Sequence, residues 1–183
     1  MNTIDQETGQ RLLRLARRTL AEELTGTRET TADPSLAGLP HNGVFVTLRK
    51  WGELRGCIGT FEGAGELVDV VRRMAAAALG DPRFVSMPVS ASELTDIRIE
   101  LSVLSPLEPI DDATDFDFGR HGIYLKQEFA TGCFLPDVGQ DLGWDKETFL
   151  RQLCAHKMGL APDAWRSPKI QAWRFTVSKF VEA

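Results

Sequence analysis

Val44-Phe45-Val46-Thr47-Leu48-Arg49-Lys50, then Trp51-Gly52-Glu53, then Leu54-Arg55-Gly56-Cys57-Ile58-Gly59-Thr60 reads as two β-strands joined by a short glycine-containing turn. The second strand sets an arginine and a cysteine among glycines. Alternation places Arg55 and Cys57 on one face, with Leu54 and Ile58 on the other. Gly56 and Gly59 lack Cβ atoms, which lets another backbone, a ligand or a partner approach the sulfur. An ordinary thiol titrates near ~8.5 and attacks or binds metal as the thiolate, so a guanidinium two residues away would favour the reactive form. The competing reading makes Cys57 a small packed hydrophobe in a tight hairpin.

Outward from the hairpin, the pattern is mixed α and β. Thr3 with Gln6 reads as a capping box opening a helix to about residue 24, on which Leu13, Ala16, Leu20 and Leu24 recur at helical spacing. Residues 25–42 read as an irregular connection. Gly63–Leu79 reads as a second helix, ended by Gly80-Asp81-Pro82. Thr95–Ser105 alternates, with Ile97, Ile99, Leu101 and Val103 facing a core. Pro106 and Pro109 then stop the strand. Gly122–Gln127 and Gly132–Leu135 read as another hairpin. Asp145 caps a helix carrying Phe149, Leu150, Leu153 and Cys154 and ended by Gly159, with Cys154 in the core. Ile170–Phe180 reads as one terminal strand.

Leu54-Arg55-Gly56-Cys57-Ile58-Gly59 resembles the signature of the AMMECR domain family. The likeness continues through Gly43–Leu48, Asp81-Pro82-Arg83-Phe84, Ile99–Ser105, Gly122-Ile123-Tyr124-Leu125, Gly132–Val138, and Gly143-Trp144-Asp145 with Phe149-Leu150, all in register over roughly residues 9–182. The resemblance implies one α+β domain over residues 1–183, mostly antiparallel sheet flanked by helices, with two lobes and a cleft near the signature. It implies no assigned reaction. It also implies a pathway or complex shared with a Memo-type protein and a radical-SAM enzyme, as in the A component of the AmmeMemoRadiSam set. Cys133 and His156 depart from the family pattern and receive no role from it.

The chain has 183 residues, and its 26 acidic against 21 basic residues give a formal net charge of −5. That length suits one domain with a full core. The acidic balance argues against non-specific nucleic-acid binding, which draws on a basic face. Arg11, Arg14, Arg17 and Arg18 read as the solvated side of the first helix. Three widely spaced cysteines, Cys57, Cys133 and Cys154, form no disulfide framework. With no signal-peptide pattern and no apolar run of membrane-crossing length, the expected location is the cytoplasm, without membrane association.

No P-loop, dinucleotide fingerprint, HExxH or GxSxG occurs. The acidic run Asp111, Asp112, Asp115 and Asp117 lacks the spacing of a calcium loop and reads as a solvated connection, so no metal site is expected. The cofactor stays unassigned. Of His41, His121 and His156, His121 is the candidate base for a Cys57 nucleophile, because it opens a strand; Glu62 and Glu100 are weaker candidates. Arg55 and Arg83 are candidate anion binders, with ion pairs to Glu53, Glu62 or Asp81 as the structural alternative. For Arg83 the structural role is preferred.

Two functional readings follow. In one, Cys57 is the nucleophile or redox thiol of a cleft enzyme, with Arg55 tuning it, His121 as base, and Arg55, Gly56 and Gly59 binding the ligand. In the other, the domain is non-catalytic and docks a small molecule, a peptide or partner proteins through the signature surface.

Overall fold

The computed structural model describes residues 4–27 and 33–182. Pro106–Val177 forms one compact unit, and the chain on either side of it forms the other.

The first unit begins with α1, Gln6–Thr25. Asp5 caps it by accepting the Thr8 N–H, a role the sequence assigned to Thr3, which lies outside the described residues. A 3₁₀ turn, Pro34–Leu36, precedes β1, Gly43–Lys50, and β2, Glu53–Thr60. Helix α2 is Leu67–Leu79, four residues shorter at its start than the spacing suggested. Glu66 stands before it without capping it and accepts the Gly38 N–H instead. Strand β3 is Ile97–Leu104. Its inward Ile97, Ile99, Leu101 and Val103 are buried, as the alternation predicts.

These strands form a sheet in the order β2-β1-β3-β8, where β8 is Val177–Val181. Val44, Val46 and Leu48 of β1 face Val103, Leu101 and Ile99 of β3, and they share a core with Leu12, Leu13, Ala16 and Leu20 of α1 and with Val70 and Val71 of α2. Between β1 and β2 the register slips at one point. Leu48 pairs with Gly56 but Arg49 pairs with Leu54, which leaves Arg55 as the extra residue of a β-bulge.

The second unit holds a sheet in the order β4-β7-β5-β6. Its strands are β4, Glu108–Ile110; β5, Gly122–Gln127; β6, Ala130–Phe134; and β7, Gln171–Phe175. Helix α3, Val138–Asp141, leads to α4, Lys146–Gln152, which Asp145 caps through the Thr148 N–H. The backbone then runs on as a π-helical turn, Leu153–Met158, stopped by Gly159 in a left-handed conformation. Phe149 lies at the centre of the core, with ring contacts to Phe116, Phe118 and Phe134. Cys154 is buried beside it, as expected.

The α+β, antiparallel architecture matches the sequence reading, but the strands divide between two sheets. The terminal run read as one strand is two, β7 and β8, parted at Thr176 and belonging to different sheets. Glu108–Ile110, read as a stop, is a short edge strand containing Pro109, a place in a sheet where a missing N–H is tolerated. No helix among the described residues is long and apolar enough to cross a membrane.

Candidate functional site

The peptide of Cys57 is gripped from both sides. Its N–H donates to Asp81 Oδ2 at 2.9 Å, and its carbonyl accepts from Arg83 Nη2 at 3.0 Å. Asp81 and Arg83 are themselves locked together. Arg83 donates to the carboxylate through Nε at 3.1 Å, Nη2 at 2.7 Å and its own backbone N–H at 3.0 Å. The local sequence builds this clamp. Gly80 ends α2, Asp81 caps the next turn, and Pro82 pre-sets the backbone of that 3₁₀ turn, Pro82–Phe84. Asp81 is 2% exposed, and the Arg83 guanidinium and the Cys57 N–H hold its carboxyl well below the usual carboxylate range. The same ion pair raises Arg83, with the Cys57 side chain adding to the effect.

The sulfur faces Thr47, the cross-strand neighbour of Cys57, whose hydroxyl donates to Sγ at 3.2 Å. Cys57 is half-buried. The arginine that meets it is therefore Arg83, not Arg55. The bulge diverts Arg55, which donates from Nη1 to Glu93 Oε1 at 2.9 Å and from Nη2 to the Met87 carbonyl at 3.1 Å. Its Nε is buried with no hydrogen-bond partner among the described residues. Glu93 also receives Lys50 Nζ at 2.6 Å and the Ser90 N–H at 3.1 Å. Arg55, then Lys50, then the Ser90 N–H hold the Glu93 carboxyl far below its ordinary value. The ion-pair partner of Arg55 is thus none of Glu53, Glu62 and Asp81.

The space beside the two glycines is filled by the protein itself. A Cβ on Gly56 would stand 2.2 Å from the Ala78 carbonyl oxygen of α2, and one on Gly59 would stand 2.3 Å from the Phe45 ring. These glycines admit a helix end and an aromatic ring. Arg55, Gly56 and Gly59, read as ligand-binding, are all engaged internally.

His121 lies in the second unit, Cys57 in the first. The imidazole is 4% exposed, and its Nδ1 accepts the Asp117 N–H at 3.0 Å, which puts the proton of the neutral ring on Nε2. Nε2 is buried with no hydrogen-bond partner among the described residues. Burial pushes the imidazole below its ordinary value, and nearby Arg174 and Arg120 act the same way against Asp117 and Glu108. Of the other candidates, His41 contacts the Gly65 carbonyl oxygen at 3.1 Å and Glu100 accepts from Arg49 at 2.9 Å. In the acidic run, Asp112 accepts from Thr114 and Asp115 lies 3.5 Å from Arg174. Among the described residues, no group of three or more His, Cys, Asp or Glu side chains is placed to hold a metal.

A family model described as AMMECR1 matches residues 13–180. The chain belongs to the AMMECR1 family. A protein of Methanothermobacter thermautotrophicus is 38% identical over 98% of this chain and 96% of its own length. A Methanopyrus kandleri relative is 39% identical over 96% of this chain and 89% of its own. The crystal structure of uncharacterized protein PH0010 from Pyrococcus horikoshii superposes with a TM-score of 0.78 at 35% identity, covering 98% of this chain and 93% of that one. The Leu54–Gly59 stretch of this chain is thus a bulged edge strand whose main chain is held by the Asp81–Arg83 pair.

The sequence reading named Asp81 as an ion-pair partner for Arg83, as found, but missed its contact to the Cys57 peptide, and it missed Glu93 and Thr47. Two of them left local traces: Asp81-Pro82 opens a turn, and Ser90-Ala91-Ser92-Glu93 has capping-box spacing. Thr47 is found only once the register is known.

Proposed function

We propose that this AMMECR1 domain is a non-catalytic docking component of the pathway implied by its family resemblance, with the Memo-type and radical-SAM proteins as partners. One observation carries the reading: the Cys57 peptide and both Nη groups of Arg55 are engaged inside the domain, while the loop they support exposes large apolar side chains. Val85 is 80% exposed and Met87 58% exposed. Both follow the Asp81–Arg83 clamp, and the Met87 carbonyl is fastened by Arg55. A rigid loop with exposed apolar groups loses little conformational freedom on binding, which favours protein docking.

Size-exclusion chromatography with the purified Memo-type and radical-SAM proteins tests this. The wild type and Cys57→Ser are expected to co-elute with a partner, and Val85→Asp/Met87→Asp to elute alone while folded. Absence of any complex, or its loss in folded Cys57→Ser, would overturn the reading.

A thiol-chemistry reading has one observation in its favour: the half-buried sulfur lies beside Arg83, an exposed guanidinium. It requires fast alkylation of native Cys57 near neutral pH, slowed about tenfold in Arg83→Ala and unchanged in Arg55→Ala. Alkylation that only tracks global unfolding removes it.

A further inference from the structure

We propose that the groove beside the β1–β2 turn binds a small planar anion, an aromatic ring bearing a carboxylate or phosphate, stacked on Trp51 and paired with Arg14 and Arg98. The groove has a volume of about 550 Å³, and its walls include these three residues together with Leu13, Arg17 and Ile97. That volume suits a small molecule.

The turn itself singles out Trp51. Trp51 and Gly52 have φ of 52° and 89°, both in the left-handed region. Two-residue hairpin turns with this backbone favour Asn, Asp or Gly at the first position, because a bulky side chain is strained there. Trp51 nevertheless occupies it, and the ring is 82% exposed. Packing within the fold does not explain the choice. The ring is also held ready, since Lys50 Nζ stands 4.7 Å from its centroid and is fixed by Glu93.

The charges around the groove are unevenly matched. Arg17 is committed to Glu182 and to the carbonyl oxygens of Leu94 and Ile97. Asp96, also in the wall, lies 3.8 Å from Lys50. The side chains of Arg14 and Arg98 make no hydrogen bond or ion pair within 4 Å among the described residues, and Arg14 acts on Asp33 only at longer range. Although the chain carries a net charge of −5, the guanidiniums lining this groove, Arg14, Arg17 and Arg98, outnumber its carboxylates, Asp96 and Glu182. A guanidinium presents a planar fork to carboxylate or phosphate, and an indole face stacks on an aromatic ring.

Isothermal titration calorimetry of the full chain tests the assignment, with adenosine monophosphate and 1-naphthoate as the two anionic probes and adenosine and inorganic phosphate as their halves. At least one anionic probe is expected to bind about tenfold more tightly than adenosine or phosphate alone, and the stronger of the two identifies the anion. Trp51→Asn is expected to lose about tenfold in affinity while melting no lower than wild type, because Asn suits the turn. Arg14→Ala/Arg98→Ala is expected to reduce binding of both anions to the level of adenosine. The proposal fails if neither anion binds, if Trp51→Asn binds as wild type does, or if Trp51→Asn lowers the melting temperature and so makes the ring a structural group.

Discussion

The two units build the same kind of object, a four-stranded sheet backed by helices, from different materials. The first fills its core with aliphatic side chains and holds its edge strand with charge: Asp81 and Arg83 on the Cys57 peptide, Glu93 between Arg55 and Lys50. The second fills its core with rings around Phe149, and its buried imidazole, His121, keeps a nitrogen with no partner among the described residues. A charge-held edge and a ring-filled core respond to different perturbations. Each can therefore be probed separately.

The largest effect is expected at Phe149, buried against three rings. Phe149→Ala should cost about 3–5 kcal/mol by opening a cavity. Urea unfolding followed by tryptophan emission reads this unit selectively, because Trp144, Trp165 and Trp173 lie in it and Trp51 does not. A midpoint near that of wild type would mean that the rings do not carry the second core.

Next comes Gly56→Ala, which forces a methyl group against the Ala78 carbonyl. Overpacking against backbone costs about 1–3 kcal/mol. Far-UV circular dichroism during urea unfolding should show an earlier transition. Unaltered stability would show that α2 can withdraw from the strand freely, contrary to the clamp described for the first unit.

Acid separates the units further. Asp81 and Glu93 bind protons less readily in the folded state than their ordinary 3.8 and 4.5, so the stability they add is present above that range and is lost progressively as pH falls below it toward their lowered folded values. His121 is also lowered, here from 6.5 by burial, so the stability its neutral form adds is present above about that value and is lost as pH falls below it, earlier in acidification than the carboxylates. Melting temperatures from pH 8 to 3 should thus decline in two stages, and His121→Gln should flatten the first alone. A single decline shared by wild type and variant would refute the division.

The smallest effect is expected at Cys57 itself. The clamp holds chiefly the Cys57 peptide, which the variant keeps, so Cys57→Ala should shift stability by about 1 kcal/mol or less. A much larger loss would give the Thr47–Cys57 contact a structural weight that a thiol hydrogen bond does not ordinarily have.

These sites also show what the chain makes legible. Periodicity exposes Ile97–Leu104 and the hairpin around Gly52, because their side chains alternate between core and solvent. It locates Cys57 and both arginines and names Asp81 among the partners of Arg83, but it gives Arg55 the wrong neighbours. Arg55 is diverted by a bulge, and a bulge is a property of two strands in register. Asp81 reaches Cys57 across 24 residues, a closure that spacing in one segment does not encode. The break at Thr176 is hidden for a related reason: Ile170–Phe180 contains neither glycine nor proline, so nothing local marks the passage from one sheet to the other.

That passage also sets a timetable. Pro106–Val177 is continuous in the chain, whereas the first unit needs residues from both ends. As the polypeptide leaves the ribosome, the second unit has all its strands while the first still lacks β8, whose Phe180 closes against Gly9. The half that is translated first is thus finished last, and a chain cut before Val177 would leave the edge of β3 bare.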